Sequence, residues 1–201
     1  MKLIQILFII LWVAFYGAYL LKMFILRKQG VQADILGKGD KSKSHATIET
    51  AIKIVTYIGA GVQLFSIVLP MAIWSFSPFP TMQEGGLILA VFGTTCFIAA
   101  VVVMGRNWRA GFSEEQNTKL VTDGIYRFSR NPAFLGFDLL YIGCALAFPN
   151  LINISFAIIA VIIFHIQILG EEVFLTKAFG KKYLDYKAKT MRYLGSNKID
   201  Y

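Results

Sequence analysis

Five long apolar segments separated by polar turns make up most of this 201-residue chain. They are Leu3 to Leu26, Ile52 to Phe76, Leu87 to Met104, Ala133 to Phe148 and Leu151 to Leu169. The first is long enough, at 1.5 Å per helical residue, to cross a hydrocarbon core of roughly 30 Å. The fourth is short for a full crossing, and only Pro149-Asn150 separates it from the fifth, so we expect a tight helical hairpin. The pattern predicts an all-α integral membrane protein with about five transmembrane helices.

The polar segments between these runs predict connectors and helix breaks. Residues 28–50 contain GKGDKSKS, which lacks the GxxxxGK[ST] spacing of a phosphate-binding loop and follows no strand. We expect a flexible basic connector there, with a phosphate cradle as the less favoured alternative. Gly59, Gly61 and Pro70 suggest close packing or a kink in the second run. The turn SFSPFPTMQEGG is expected to interrupt the helix because it holds two prolines and paired glycines.

The chain divides at Met104 into two regions. Residues 1–104 form an N-terminal three-helix membrane region, whose first run lacks a cleavage site and is expected to be an anchor. Residues 105–201 form the second region. It consists of a polar segment (105–132), the hairpin (133–169) and a tail (170–201). We expect the tail to form an amphipathic, lysine-rich helix ending near Arg192.

Composition indicates a membrane protein, and the positions of the basic residues explain the net positive charge. The chain is 56% hydrophobic, with mean hydropathy +0.60 and a net charge of +8. The basic residues concentrate in three segments that five crossings would bring to one side of the membrane. The positive charge is therefore explained by membrane topology, and nucleic-acid binding is disfavoured. The positive-inside rule makes that side cytoplasmic and places the N-terminus outside. Cys96 and Cys144 lie in apolar runs without CxxC spacing, which indicates packing and neither a disulfide nor a metal site.

The stretch from Leu120 to Tyr186 carries the candidate chemistry. Gly124 frees the backbone, Arg127 and Arg130 supply positive charge, and Asn131-Pro132 has the residues of an N-cap and a first helical position. A helix N-terminus beside an arginine is suited to binding an anion. The hairpin then returns Glu171 and Glu172 to the same side.

Several polar residues in this stretch have more than one interpretation. Asp138 would be either a structural partner of Arg106, Arg109 or Arg130, or a ligand contact. His165 would be an interhelical hydrogen-bonding residue or a base. Glu171 and Glu172 point about 100° apart on a helix, so one could bind a ligand while the other anchors an arginine. The plainer alternative is that both simply end a membrane helix.

The order of motifs resembles the isoprenylcysteine carboxyl methyltransferase and phospholipid methyltransferase superfamily, especially its bacterial members. The resemblance rests on GRNWRAGF, LVTDGIYRFSRNP, RNPAFLG, the Glu171-Glu172 pair, Phe179-Gly180 and Tyr183 through Tyr186. It covers roughly Gly105 to Arg192. It implies a small membrane enzyme that transfers a methyl group from S-adenosylmethionine, releasing S-adenosylhomocysteine. It also implies a membrane lipid or a lipidated, amphiphilic molecule as the acceptor.

The resemblance also implies roles for individual residues. The amino-acid end of the cofactor would lie near Arg130 and the helix start after Asn131. The surrounding residues would be Gly124, Tyr126, Pro132, Gly136, Glu171, Glu172, Tyr183 and Tyr186. Catalysis would depend on Arg130, Glu171 and Glu172, and acceptor binding on Trp108, Arg109 and Asp138, without a metal. Many members carry histidine where this chain has Asn131, which removes an imidazole contact at that position.

The sequence leaves the identity of the methyl acceptor open. Methylation of a prenylcysteine carboxylate needs no general base, whereas a phospholipid amine or a thiol must lose a proton to Glu171, Glu172 or Asp138. A small amphiphile is a further possibility, and a non-catalytic scaffold or small transporter is the alternative from another class. We expect Arg130→Ala, and with it Glu172→Gln, to abolish methyl transfer without preventing folding. The sequence gives no oligomeric state.

Overall fold

The computed structural model of the protein describes residues 2–38, 43–69, 75–111 and 119–195. These residues form six α-helices: α1 Leu3–Lys28, α2 Lys43–Val68, α3 Pro80–Met104, α4 Pro132–Ala147, α5 Leu151–Phe179 and α6 Lys181–Lys189. Helices α1, α2, α3 and α5 are long and apolar enough to cross a membrane, and α4 is a shorter apolar helix of 16 residues. The prediction of an all-α membrane protein with a C-terminal hairpin is confirmed.

Several helix boundaries differ from the sequence prediction, and α2 begins at Lys43, inside the connector expected over residues 28–50. Helix α3 begins at Pro80, inside the turn that was expected to break the helix, and Phe79 precedes it as the N-cap residue. Helix α5 continues through both glutamates to Phe179, and Gly180 then reverses the backbone with φ +53° before α6. The expected single tail helix is therefore two helices, and the second ends at Lys189 instead of near Arg192. Pro70 lies outside the described residues.

Glycines explain why α3 extends so far. An added Cβ at Gly86 would lie 2.5 Å from the carbonyl oxygen of Gly143, and one at Gly143 would lie equally close to the carbonyl of Gly86. Gly93 and Gly136 form a second reciprocal contact, at 2.7 Å in each direction. The absent side chains let α3 and α4 approach closely along their length, as small residues do between membrane helices. Gly86, the second glycine of the predicted turn, thus takes part in a helix contact, whereas Gly85 has nothing within 4 Å.

Alternating crossings bring the three basic segments together at one end of the bundle. We call the end formed by residues 27–38, 105–111, 119–131 and 177–195 the basic end. At the opposite end, the Phe76 amide donates to the Pro149 carbonyl at 2.9 Å, and Gln5 Nε2 donates to the Ile67 carbonyl at 2.8 Å. Helix α4 packs between α3 and α5, while α1 contacts α3 and α2 contacts α5. This arrangement places the described polar segments 105–111 and 119–131 together with residues 177–195 near the basic end, while the turn before α3 and Pro149-Asn150 lie at the other end.

The connector after α1 is packed against the basic end. The Ile35 amide donates to the Ala110 carbonyl at 3.1 Å, and the Ala110 amide donates to the Ala33 carbonyl at 2.8 Å. Ala33 and Ile35 are buried. The expectation of a flexible connector is therefore wrong for residues 31–38, because backbone partners distant in the sequence fix them. The middle of GKGDKSKS, residues 39–42, lies outside the described residues.

Aromatic side chains fill the core just inside the basic end. The rings of Phe15 and Phe97 stack at 4.3 Å, and Phe137 meets both edge-on at 4.7 and 5.2 Å. Tyr19 contacts the ring of Trp108 edge-on at 5.6 Å. This cluster joins α1, α3 and α4 and forms the inner boundary of the cavity described next. Cys96 and Cys144 are both buried, as expected for packing residues.

Candidate functional site

A partly open cavity of about 190 Å³ lies at the basic end. Every helix contributes to its wall, together with the connector and the segment between α3 and α4. One part of the wall is polar and includes Arg109, Lys119, Arg130, Asn131 and Glu171. The remainder is largely apolar and aromatic, from Tyr19, Phe97, Phe134, Phe137, Phe164, Phe174 and Phe179. A ligand with one polar and one apolar portion matches this division.

Arg130 and Glu172 form a buried ion pair beside the cavity. Arg130 Nη2 lies 2.6 Å from Glu172 Oε1, although the residues are 42 positions apart. Their side chains are only 8% and 3% exposed. Arg192 also donates to both carboxylate oxygens of Glu172, at 3.0 and 2.9 Å, and Lys187 Nζ lies 3.6 Å away. One carboxylate thus faces three cations, so the local charge is positive.

Most of the donors of Arg130 are already used within the protein. Besides its bonds to Glu172, its Nη1 donates to the carbonyls of Lys187 and Thr190, at 3.1 and 2.6 Å. A guanidinium has five N–H donors. Since Nε donates to Glu172 as well, at 3.2 Å, at most one N–H on Nη2 is left for a ligand. Arg130 therefore acts mainly through its charge and through the groups it holds in place.

The chain after α6 closes over the start of α4, and we call residues 190–195 the C-terminal strap. The Arg130 amide donates to the Met191 carbonyl at 3.0 Å, and the Gly195 amide donates to the Phe128 carbonyl at 2.7 Å. His165 Nδ1 lies 2.6 Å from the hydroxyl of Tyr193. The expectation of a hydrogen-bonding His165 is confirmed, but its partner is in the strap and not in another helix.

The first residues of α4 line the cavity. Asn131 is the N-cap residue and Pro132 opens the helix, as the sequence indicates. The Asn131 side chain does not cap, however, because its Nδ2 donates to the Arg192 carbonyl at 3.2 Å. First-turn amides have no partner within a helix, and the residues bearing them here, Ala133 and Phe134, line the cavity. This combination suits a bound carboxylate.

The structure places eight of the residues singled out from the sequence in the cavity wall. They are Trp108, Arg109, Tyr126, Arg130, Asn131, Pro132, Glu171 and Tyr186. Burial raises the pKa of the Tyr126 phenol and lowers the pKa of the Arg109 guanidinium. The Tyr186 hydroxyl donates to the Tyr126 carbonyl at 2.6 Å and so joins α6 to the 3₁₀ helix Gly124–Arg127.

Five other candidates do not line the cavity. Gly124 has φ +59° and is packed against Val103, while Gly136 contacts α3 as described above. Glu172 lies behind Arg130. Tyr183 is buried there too, and burial together with the charge of Glu172 raises its pKa to about 12. These four residues shape the site from outside.

Asp138, the fifth, departs most from its prediction. Within the described part of the chain it forms no ion pair with Arg106, Arg109 or Arg130, and its buried Oδ1 has no hydrogen-bond partner. Its negative charge helps to raise the pKa of Tyr193, after the larger effect of burial. Asp138 is therefore neither an ion-pair partner of these arginines nor one of the residues that line the cavity.

The motif analysis missed the N-terminal contribution to the wall. Tyr19, Ile35, Leu36, Ile52 and Thr56 all line the cavity, although none belongs to a recognisable motif. Tyr19 and Thr56, polar residues within apolar runs, carried the only available signal. Ile35 and Leu36 gave none, because their placement depends on the contact with Ala110.

Comparisons with known proteins agree with this site. Residues 82–182 match the phospholipid methyltransferase family. Protein-S-isoprenylcysteine O-methyltransferase A of Arabidopsis thaliana is 33% identical over 104 residues, which are 50% of this chain and 53% of that protein. The human protein-S-isoprenylcysteine O-methyltransferase is 32% identical over 107 residues, covering 52% and 38%. A probable enzyme of the same name from Oryza sativa subsp. indica is 32% identical over 120 residues, covering 55% and 63%.

The matched part of the chain thus spans 53% and 63% of the two plant relatives and 38% of the human one. The family match covers half of this chain and includes α4, both glutamates and most of the cavity wall. The resemblance noted from the motifs is confirmed, and the chain belongs to the phospholipid methyltransferase family.

Proposed function

We propose that this protein transfers a methyl group from S-adenosylmethionine to a lipid-like acceptor in the membrane, most like an isoprenylcysteine carboxylate. The observation that carries the proposal is a single cavity that joins a cationic helix start to an aromatic wall. The polar part, with Arg130, Asn131 and Glu171, suits the charged donor. The aromatic part, with Phe97, Phe137 and Phe164, suits an apolar acceptor chain.

The residues of the polar part fit S-adenosylmethionine chemically. The α4 amides and the charge of Arg130 would hold its carboxylate, and the Glu171 carboxylate would hold its ammonium group or its ribose hydroxyls. Aromatic side chains such as Phe134, Phe174 and Tyr186 offer stacking surfaces for an adenine ring. Bound there, S-adenosylmethionine supplies a methyl group that is already activated as a sulfonium, and it leaves as S-adenosylhomocysteine.

The protein then has to orient the acceptor and exclude water. Orientation alone accounts for much of the rate enhancement of such reactions. Glu172 contributes indirectly, because it fixes Arg130 on one side and Arg192 of the strap on the other. Glu171 differs from its neighbour in lining the cavity. We therefore assign Glu171 to ligand contact and Glu172 to positioning.

The charge of the cavity favours an anionic acceptor group. Arg109 and Lys119 line it in addition to Arg130, whereas Glu171 is the acidic residue among the described lining residues. A carboxylate acceptor is attracted by such a wall and has no proton to lose. The names of the plant and human relatives support the same substrate class.

A phospholipid amine is the second candidate, and the family name favours it. An amine must release a proton, and Glu171 is the carboxylate within the described wall that could accept it. Glu172 is poorly suited to this role because arginines already occupy both of its oxygens.

We place the basic end on the cytoplasmic side by the positive-inside rule, with the N-terminus on the opposite side of a bacterial inner membrane. A soluble donor would then enter from water and the acceptor from the bilayer. Cysteine accessibility on either side of sealed membranes tests this orientation.

The deciding experiment incubates the purified protein with methyl-labelled S-adenosylmethionine and either S-farnesyl-N-acetylcysteine or phosphatidylethanolamine vesicles. Label that alkali releases indicates an ester, and label that resists alkali indicates an N-methyl group. We expect alkali-labile label on the prenylcysteine. If no label is transferred, and S-adenosylhomocysteine does not raise the unfolding temperature as a ligand of the native state must, the methyltransferase proposal is wrong.

A further inference from the structure

We infer, on the basis of the proposed function, that the N-terminal part of the chain selects the acceptor and that Glu49 positions the selecting surface. This surface, the connector wall, consists of Ile35 and Leu36 from the connector and Ile52 and Thr56 from α2. It lies wholly outside residues 82–182, the part that matches the family.

The connector wall and the residues assigned to the donor come from different parts of the chain. Those residues, from Tyr126 to Tyr186, all belong to the part of the chain after α3. The connector wall instead adjoins Trp108 to Gly111, through the backbone bonds between Ala110 and residues 33 and 35. Three of its four side chains are aliphatic, so the acceptor's apolar portion is the group that they would contact.

A buried carboxylate and a partly exposed ion pair hold the connector in this position. Glu49 is completely buried in α2, and its Oε2 accepts the Gly37 amide at 2.7 Å. Its Oε1 would lie 3.0 Å from a Cβ at Gly111, whose φ of +88° favours glycine. Lys53 Nζ, one turn further along α2, contacts Asp34 Oδ2 at 2.8 Å. Two α2 side chains thus fix the backbone on each side of Ile35 and Leu36.

Selection by such a wall has a known scale. One methylene more or less in an apolar pocket changes kcat/KM by about 10-fold to 200-fold. A wall of aliphatic side chains should therefore discriminate acceptors by chain length and shape, while leaving donor binding unchanged. A change in acceptor preference at unchanged donor affinity would distinguish the connector wall from residues that only support the fold.

The test compares two isoleucines of α2. Ile52 lines the cavity and is buried, whereas Ile54 is 53% exposed on the outer face of the same helix. Ile52→Ala and Ile54→Ala are assayed with S-geranyl-, S-farnesyl- and S-geranylgeranyl-N-acetylcysteine. We expect Ile52→Ala to shift the ratio of kcat/KM values between the longest and shortest acceptors by about tenfold, and Ile54→Ala to leave it unchanged.

Donor binding is the internal control. The affinity for S-adenosylhomocysteine should be the same in both variants and in the unmodified protein. An unchanged acceptor ratio in Ile52→Ala, with turnover retained, overturns the inference but leaves the proposed function intact. Absence of turnover with every acceptor in the unmodified protein counts against the proposed function itself. Leu36→Ala, in the half-buried part of the connector, gives a second reading if Ile52→Ala does not fold.

Glu49 is tested as a positioning residue. Glu49→Ala should raise the KM for the S-farnesyl acceptor several-fold at unchanged affinity for S-adenosylhomocysteine, because Gly37 loses its partner. Glu49→Gln keeps an oxygen that can accept the same amide, and it should restore much of the acceptor KM. Equal losses of donor and acceptor binding in Glu49→Ala, without rescue by glutamine, would assign Glu49 to stability alone and contradict the inference.

Discussion

Replacing Glu172 with glutamine removes the negative charge that three cations share. Arg130 is affected most, since its side chain is 8% exposed and would stay buried without a counter-ion. Breaking a buried ion pair by removing one partner costs about 3–5 kcal/mol. Arg192 and Lys187 are 32% and 43% exposed, so water screens their ion pairs with Glu172. The loss of each of these pairs adds at most about 1 kcal/mol. Glutamine retains one acceptor oxygen, which places the expected cost near 3 kcal/mol.

The adjacent Glu171→Gln variant is the matched control. The Glu171 carboxylate accepts a hydrogen bond from the Gln167 side chain at 3.2 Å and lines the cavity. Replacing it with glutamine should therefore cost less than about 1 kcal/mol of stability. Denaturant unfolding in detergent measures both variants, and S-adenosylhomocysteine titration measures their donor sites. Glu172→Gln should lower stability and loosen the strap, whereas Glu171→Gln should lower activity at nearly normal stability. Equal stability of the two variants would refute the positioning role of Glu172.

Three further predictions concern packing, the strap and pH. Gly143→Ala should cost about 1–3 kcal/mol of unfolding free energy, because its Cβ meets a carbonyl of α3, while Gly61→Ala, with nothing within 4 Å, should cost little. Tyr193→Phe removes the hydroxyl bonded to His165, so limited proteolysis should cut the strap faster. Burial raises the pKa of Asp34, but bonds from two lysines outweigh it and hold that pKa below the ordinary value of 3.8. Its stabilisation is therefore complete above that pH and is lost as the pH falls below it, which hydrogen exchange of residues 31–38 would detect.

The sequence predicts those features that local chemistry determines. Pro132 opens α4 as expected. Helices α4 and α5 are antiparallel, so the C-terminal part of α5, which carries the glutamates, lies beside the start of α4 and Arg130. The division of labour between Glu171 and Glu172 also follows the expected separation of about 100° on a helix. Which of them would face the cavity could not be predicted, because this depends on the rotation of α5 about its axis.

The features that sequence reasoning missed depend on distant partners. The turn before α3 contains residues that usually break helices. Gly86 is nevertheless part of α3, because a side chain there would collide with the backbone of Gly143 on α4. Residues 31–38 have the composition of a linker, but Ala110 and Glu49 order them. Asp138 was expected either to pair with an arginine or to contact a ligand, but it does not line the cavity, and its charge instead influences Tyr193 of the strap. In each case the deciding contact joins residues far apart in the chain.

The strap has a consequence for biogenesis. Arg130 emerges from the ribosome 60 residues before Thr190, the strap residue whose carbonyl its guanidinium binds. The helices can insert before then, but the proposed donor pocket cannot close while the strap is still being translated. If the proposed function holds, a nascent chain arrested ahead of Thr190 should be embedded in the membrane and yet unable to retain S-adenosylhomocysteine, so that completion of the site would follow membrane insertion as a separate step.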